Sequence, residues 1–126
     1  MSRSEEDAAV LVLTTTADDE SACTLSRALV DEGLAACVTR TSVRSVYRWE
    51  SLQDGRTPAA AGEMRVCEDD EVLLVIKSAR ARVAALEKRI LELHSYECPE
   101  VVVLAPEHVE AKYLAWLLGA SGLSKG

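Results

Sequence analysis

The chain of 126 residues contains no phenylalanine and few other aromatic side chains, with three tyrosines and two tryptophans. Its core must therefore be built from Leu, Val, Ile and Ala. Apolar residues of all kinds make up 48% of the sequence, an ordinary share for a globular protein, so the composition excludes wholesale disorder. The length fits one domain with a real core.

An excess of positive charge is also missing, as are long apolar runs. Fourteen Lys and Arg stand against 21 Asp and Glu, which gives a net charge of −7. General binding to nucleic acid or to an anionic membrane needs a basic face, so we expect neither partner. No apolar stretch approaches the length of a membrane span, and the acidic start MSRSEEDAA is unlike a secretory signal. We expect a cytoplasmic protein.

Paired cysteines and the common catalytic motifs are absent too. The four cysteines, Cys23, Cys37, Cys67 and Cys98, form no C-x-x-C pair. This spacing indicates neither a disulfide framework nor a zinc ribbon, and we expect free thiols. There is no G-x-S-x-G, P-loop or G-x-G-x-x-G motif. We therefore predict that the protein is not an enzyme, while an uncharacterised enzyme remains the third hypothesis.

Hydrophobic periodicity predicts four strands and three helices. Short apolar runs with β-branched residues mark the strands, and apolar residues three or four apart mark the helices. The predicted strands are 9–16, 34–50, 71–77 and 100–104. The helices are predicted to begin after Thr16, Ser78 and Pro106, with Thr16 and Ser78 as caps and Gly33 ending the first. The segment 51–70 is rich in Gly, Pro and charge, and this composition predicts an extended hairpin loop.

The order β-α-β-β-α-β with an additional C-terminal helix predicts an α+β, ferredoxin-like sandwich, with both crossover helices on one face of an antiparallel sheet. We assign the domain to 9–121, with flexible ends at 1–8 and 122–126. The strands are apolar on both faces, so the second face must also be buried. The last helix can cover only part of it. We therefore predict assembly with further copies of the chain.

Five blocks of this sequence resemble the CutA family of divalent-cation tolerance proteins. They are LAACV (34–38), SVYRWE (45–50), EVLLVIK (71–77), LEKRILELHSYECPEVVVL (86–104) and YLAWL (113–117). The resemblance implies a ferredoxin-like protomer in a tight homotrimer, whose long strands reach neighbouring subunits. It also implies a role in the response to copper and other divalent metal ions, with no established enzymatic reaction.

His94 and Cys98 are the candidate metal ligands. Two ligands are too few for a closed site, so neighbouring copies would have to add donors, and Glu97 and Glu100 are the nearest candidate oxygens. Alternatively, His94 is a helix-terminal histidine favoured by the helix dipole, and Cys98 is a packed thiol before Pro99.

The resemblance also implies a particular copper site in some family members, formed by a cysteine at the end of the first strand and a pair of histidines just after the second helix. In this sequence Thr14 occupies the cysteine position and Leu93 that of the first histidine. Only His94 matches. These positions therefore differ from the copper site that the resemblance implies, and Cu(II) or another divalent cation is the expected cofactor.

Tyr47, Trp49, Glu50, Tyr96 and Glu100 are candidate residues of a cleft between subunits. Aromatic walls with a few carboxylates suit a small cationic or polar ligand. The alternative is that Tyr47 and Trp49 are interface packing. We predict a CutA-like, trimeric divalent-cation tolerance protein. The alternative function is a trimeric small-molecule sensor or scaffold with ligand clefts between subunits.

Overall fold

The computed structural model describes residues 7–49 and 65–122. In chain order the elements are β1 (Ala9–Thr16), α1 (Asp19–Asp31), β2 (Cys37–Trp49), β3 (Arg65–Ala79), α2 (Val83–Leu93), β4 (Val102–Leu104) and α3 (Ala111–Ala120). The candidate Glu50 and most of the two predicted flexible ends lie outside the described residues. None of the three described α-helices has the length and apolar character that a membrane crossing requires.

The four strands form one antiparallel sheet in the order β2-β3-β1-β4. This is the ferredoxin-like arrangement that the element order predicts, and the prediction is confirmed. β1 and β3 are the central strands. In the part of the chain that the structure describes, β4 is a short edge strand paired with residues 11–13 of β1.

The first face of the sheet carries the main core, with α1 and α2 packed on it. Its buried side chains include Val10 and Val12 of β1, Leu74 and Ile76 of β3, Leu25 and Leu29 of α1, and Leu86 and Ile90 of α2. All are aliphatic, as the absence of phenylalanine requires. The two helices lie on one face because each presents its apolar stripe to the same alternating strand positions.

The second face carries α3 at one end only. Ala9 and Ala79 lie opposite each other across β1 and β3 and cluster with Leu117 and Leu118 of α3. Along the same face runs a set of half-buried or exposed apolar side chains, which we call the apolar row. It consists of Leu11, Leu13, Leu73, Val75, Val102 and Leu104. The last two remain 43% exposed, so the described part of the chain covers this face incompletely.

Beyond Thr16, where β1 ends, β2 and β3 continue together as a two-stranded ribbon. Their pairing extends as far as Trp49 opposite Arg65. The prediction of a loop over 51–70 is therefore wrong for residues 65–70, which form the first part of β3; the remainder of that prediction lies outside the described residues. A lone pair of strands is marginally stable in water, so the ribbon is expected to need support from another surface.

Two predicted helix caps are wrong. The N-cap of α1 is Asp18, whose carboxylate accepts from the Ser21 N–H at 2.8 Å, while the Thr16 hydroxyl donates to the Asp18 carbonyl. Ser78 lies in β3, and its buried hydroxyl donates to the Leu34 carbonyl at 2.7 Å. A serine before an apolar stripe has two possible partners, and here the tertiary one is used.

The predicted stop of the first helix is confirmed. Gly33 adopts φ +74°, the left-handed conformation that glycine tolerates without a steric penalty. The following N–H of Leu34 then donates back to the Leu29 carbonyl at 3.0 Å. This tight ending turns the chain directly into β2.

Candidate functional site at the base of the ribbon

Because β1 ends before β3 does, part of β3 pairs with β2 alone. The last β1 residue, Thr16, pairs with Val72, so the first part of β3, residues 65–71, has no β1 neighbour. The turn after α2 lies here. Its His94 contacts the β1 backbone, and its Tyr96 reaches Glu71 on β3.

Two tyrosine hydroxyls donate to two carboxylates at this place. Tyr96 Oη donates to Glu71 Oε2 at 2.7 Å, and Tyr47 Oη donates to Asp69 Oδ2. Asp69 and Glu71 are two residues apart on one strand, and Tyr47 pairs opposite Cys67, so these strand residues share a face. It is the face that carries the apolar row. We call these four residues the tyrosine–carboxylate network.

Hydrogen bonding and burial together keep both tyrosines in the neutral form. Donation to the Asp69 carboxylate, followed by burial and the Asp69 charge, raises the pKa of Tyr47 to about 12. Burial, followed by donation to Glu71, raises the pKa of Tyr96 as well. Both hydroxyls therefore remain donors throughout the physiological range, and they orient the carboxylates.

Strongly alkaline solution will weaken the folded protein through Tyr47. An unfolded tyrosine ionises near pH 10, whereas the folded Tyr47 has a pKa of about 12. The folded state holds this proton more tightly, so the stabilisation is complete below about pH 10 and is lost as pH rises through about 12. Thermal melts across this range should show a steeper decline of Tm for the wild type than for Tyr47→Phe. Tyr113→Phe, on α3, is the control, and equal slopes in all three proteins would contradict the assignment.

The candidate cleft residues are distributed around this network. Tyr47 and Tyr96 belong to it, and Trp49 is 42% exposed at the last described position of the ribbon. Glu100 is exposed, after the turn that holds Tyr96. Sequence reasoning named neither carboxylate of the network, because Asp69 falls in the segment predicted as a loop and Glu71 is only the first residue of a predicted strand. Their signal was strand alternation, since positions 67, 69 and 71 continue the spacing of 73 and 75.

The opposite face of the ribbon carries ion pairs. Arg44 contacts Glu68 at 2.7 Å and Asp70 at 2.6 Å. All three side chains are about half exposed or more, so these pairs add little stability. Cross-strand opposite charges do favour one register over its neighbours, which places Asp69 and Glu71 on the other side.

His94 lies at the C-cap of α2 and uses both ring nitrogens. Nε2 lies 2.7 Å from the Thr15 carbonyl oxygen, and the Tyr96 N–H donates to Nδ1 at 3.0 Å. The His94 and Tyr96 rings are 4.8 Å apart between centroids. This histidine is partly buried and tied to β1, whereas Cys98 is exposed.

Metal-ligating side chains are dispersed over the described residues. Within the described residues, 7–49 and 65–122, no group of three or more His, Cys, Asp or Glu side chains is arranged to hold a metal ion. The four cysteines are free thiols, and only Cys67 is buried. A site within one chain would thus offer two carboxylates at most from the network, and a complete coordination shell would require donors from a second copy.

The sheet order, the two faces and the ribbon define the class of protein: a ferredoxin-like α+β domain with an extended β2–β3 ribbon and a terminal helix on the second face. The family described as "CutA1 divalent ion tolerance protein" matches residues 10–120. The chain belongs to this family, as its sequence blocks predicted.

Known proteins support this assignment over nearly the whole chain. The "Divalent-cation tolerance protein CutA" of Thermus thermophilus is 37% identical over 113 residues, which cover 89% of this chain and 97% of that protein. "Protein CutA, chloroplastic" of Arabidopsis thaliana is 32% identical over 109 residues, 86% of this chain and 53% of the relative. The crystal structure of CutA1 from Oryza sativa superimposes with a TM-score of 0.78 at 30% identity, covering 93% of this chain and 96% of that one.

Proposed function

We propose that this chain is a trimeric divalent-cation tolerance protein that takes part in the response to metal ions and holds copper or another divalent cation in clefts between subunits. The observation that carries the proposal is the tyrosine–carboxylate network on the incompletely covered sheet face. Neutral hydroxyl donors orient these two carboxylates, and a neighbouring subunit would cover the surface on which they lie. Such carboxylates are suited to a cation site shared between subunits. The proposed role is non-enzymatic, and the proposed location is the cytoplasm, whereas the name of the Arabidopsis relative carries the word chloroplastic.

The apolar row supports the assembly. A monomeric protein rarely leaves a continuous apolar surface in water, and a surface of this kind marks an interface with another chain. The ribbon points the same way, because the exposed Val46 and Val66 on its other face also need cover. Three copies arranged around a closed symmetry axis would bury all such surfaces equivalently.

The charges support a cation as ligand. An ionised carboxylate has about four lone-pair positions, and one tyrosine hydroxyl uses one of them in Asp69 and in Glu71. The remaining positions are hard oxygen donors, the type that divalent cations accept. A net charge of −7 raises the local cation concentration. Glu50, Glu100 and Cys98 are the proposed additional donors of the same or a neighbouring subunit.

Exposed aromatic rings favour the alternative function, a small-molecule sensor or scaffold. Tyr47, which donates to Asp69, is 38% exposed, and Trp49, two residues further along β2, is 42% exposed. An aromatic wall with acidic groups also attracts organic cations. Saturable thermal shifts with metabolites in the presence of a chelator would favour this alternative over the metal.

Removing the two network charges will weaken cation binding. We expect calorimetric titration with Zn(II) and Cu(II) to give at least about ten-fold weaker binding for the double variant Asp69→Asn, Glu71→Gln than for the wild type. The reason is that the amides keep the shape and lose the anionic oxygens.

The ribbon provides a matched control for this experiment. Glu68→Gln with Asp70→Asn removes the same number of charges from alternate positions of the same strand, which face the other side. This control should bind like the wild type. Equal weakening in both double variants would reduce the effect to overall charge, and unchanged binding in the network variant would refute the proposed site. Native mass is measured for every variant, so that dissociation is not mistaken for lost ligands.

A further inference from the structure

The partners of His94 fix its tautomer. A backbone N–H can only donate, so the Tyr96 N–H, 3.0 Å from Nδ1, requires an unprotonated Nδ1. A carbonyl can only accept, so the Thr15 oxygen, 2.7 Å from Nε2, requires a proton there. His94 is therefore neutral, with its proton on Nε2 and its only lone pair, on Nδ1, already in use.

The other positions of the family's copper site do not fit a soft or borderline metal either. Thr14 is fully buried, and its hydroxyl has no hydrogen-bond partner within the described part of the chain. A neutral hydroxyl is a poor replacement for a thiolate. Leu93 has no donor atom and lines, with His94 and Thr24, a cleft of about 210 Å³ between α1 and the end of α2. The residues at these three positions do not form that copper site.

We propose that His94 is a positioning residue and not a metal ligand. Through Nε2–H it ties the turn after α2 to the end of β1, and through Nδ1 it holds the backbone of Tyr96. These two bonds place the Tyr96 hydroxyl within hydrogen-bond distance of Glu71, the β3 residue just beyond the end of the β1 pairing. The histidine thus joins residues 79 positions apart in sequence and orients one half of the tyrosine–carboxylate network.

The nitrogen resonances of His94 test its tautomer and ligand status directly. In the native assembly, ¹⁵N spectra at neutral pH should show the Nε2–H tautomer for His94. Addition of Zn(II) should leave both its nitrogens unchanged. His108, the chain's second histidine, is exposed near α3 and serves as the internal reference. A zinc-induced shift at His94 or an Nδ1–H tautomer would overturn the proposal.

Three variants separate positioning from ligation. Asn at position 94 retains an acceptor near Nδ1, Gln retains a donor near Nε2, and Ala retains neither. We expect His94→Ala to lower Tm by roughly 5 °C, with His94→Asn and His94→Gln each restoring part of the loss. Equal loss in all three variants would contradict the two-bond role.

Cation affinity provides the second readout. The role of the turn at Glu71 rests on the proposed function, whereas the tautomer does not, so the two can fail separately. In Zn(II) titrations we expect affinity to follow Tm, with His94→Asn and His94→Gln weakened less than His94→Ala, because His94 acts on the site only through the turn that carries Tyr96. A ten-fold or greater loss in both, with Tm preserved, would assign His94 as a ligand after all.

Discussion

A single charge in the apolar row, introduced as Leu13→Asp, will reduce the native mass of the proposed trimer to that of one chain. Leu13 lies on central strand β1, with Val75 and Val102 as its cross-strand neighbours on the same face. In a separate chain this position is only half-buried, so an aspartate can reach water. In an assembly it would lie in the interface between subunits, where burying an unpaired charge weakens association by several kcal/mol in every copy.

The measurement is light scattering on the eluting protein, with circular dichroism to show that the protomer remains folded. Leu91→Asp is the matched control, because Leu91 is 51% exposed on α2, which packs on the first face of the sheet. The control should keep the wild-type mass. If Leu13→Asp also remains assembled, the interface lies elsewhere and the proposed clefts lose their basis.

The fold was predictable because its main core follows simple periodicities. Leu25 and Leu29 recur at helical spacing, and Val10 and Val12 alternate along a strand; all four are buried where these patterns place them. The element order then leaves few topologies, since split βαβ halves give the observed strand order. Local patterns were sufficient wherever burial decides the conformation.

The strand predicted over 34–50 contains all of β2, whereas the part of β3 in the ribbon was not predictable, because it lacks an apolar pattern of its own. Residues 65–70 carry charges that are typical of a loop, yet Glu68 and Asp70 pair across the ribbon with Arg44. Cross-strand partners of this kind are 24 and 26 residues away in sequence. Asp69 was missed for the same reason, because its role follows from the strand assignment.

The role of His94 was open for a related reason. Its residue type and place in the turn suit a metal ligand, and its position at a helix end suits a structural histidine. The decision depends on the Thr15 carbonyl, which only the folded chain brings within 2.7 Å. Among the residues that the structure describes, Cys98 has no such partner, and its thiol is exposed.

Truncating the buried Ile90 will strongly lower the free energy of unfolding. Ile90 is fully buried between α2 and the sheet, and its carbonyl accepts from the His94 N–H at 2.9 Å. Ile90→Ala removes three heavy atoms from a packed core and leaves a cavity, which costs about 2–5 kcal/mol. Urea unfolding at one fixed protein concentration measures this loss, because an assembled protein's stability depends on concentration.

The neighbouring residue provides the control. Leu91 is 51% exposed, so Leu91→Ala should change the unfolding free energy by no more than about 0.5 kcal/mol.

The cavity left by Ile90→Ala also loosens the last turn of α2, from which His94 and Tyr96 extend toward Glu71. Ile90→Ala should therefore also weaken cation binding, although it changes no ligand. Unchanged binding in a destabilised Ile90→Ala protein would mean that the site does not depend on this turn, and the Tyr96–Glu71 bond would then be structural alone.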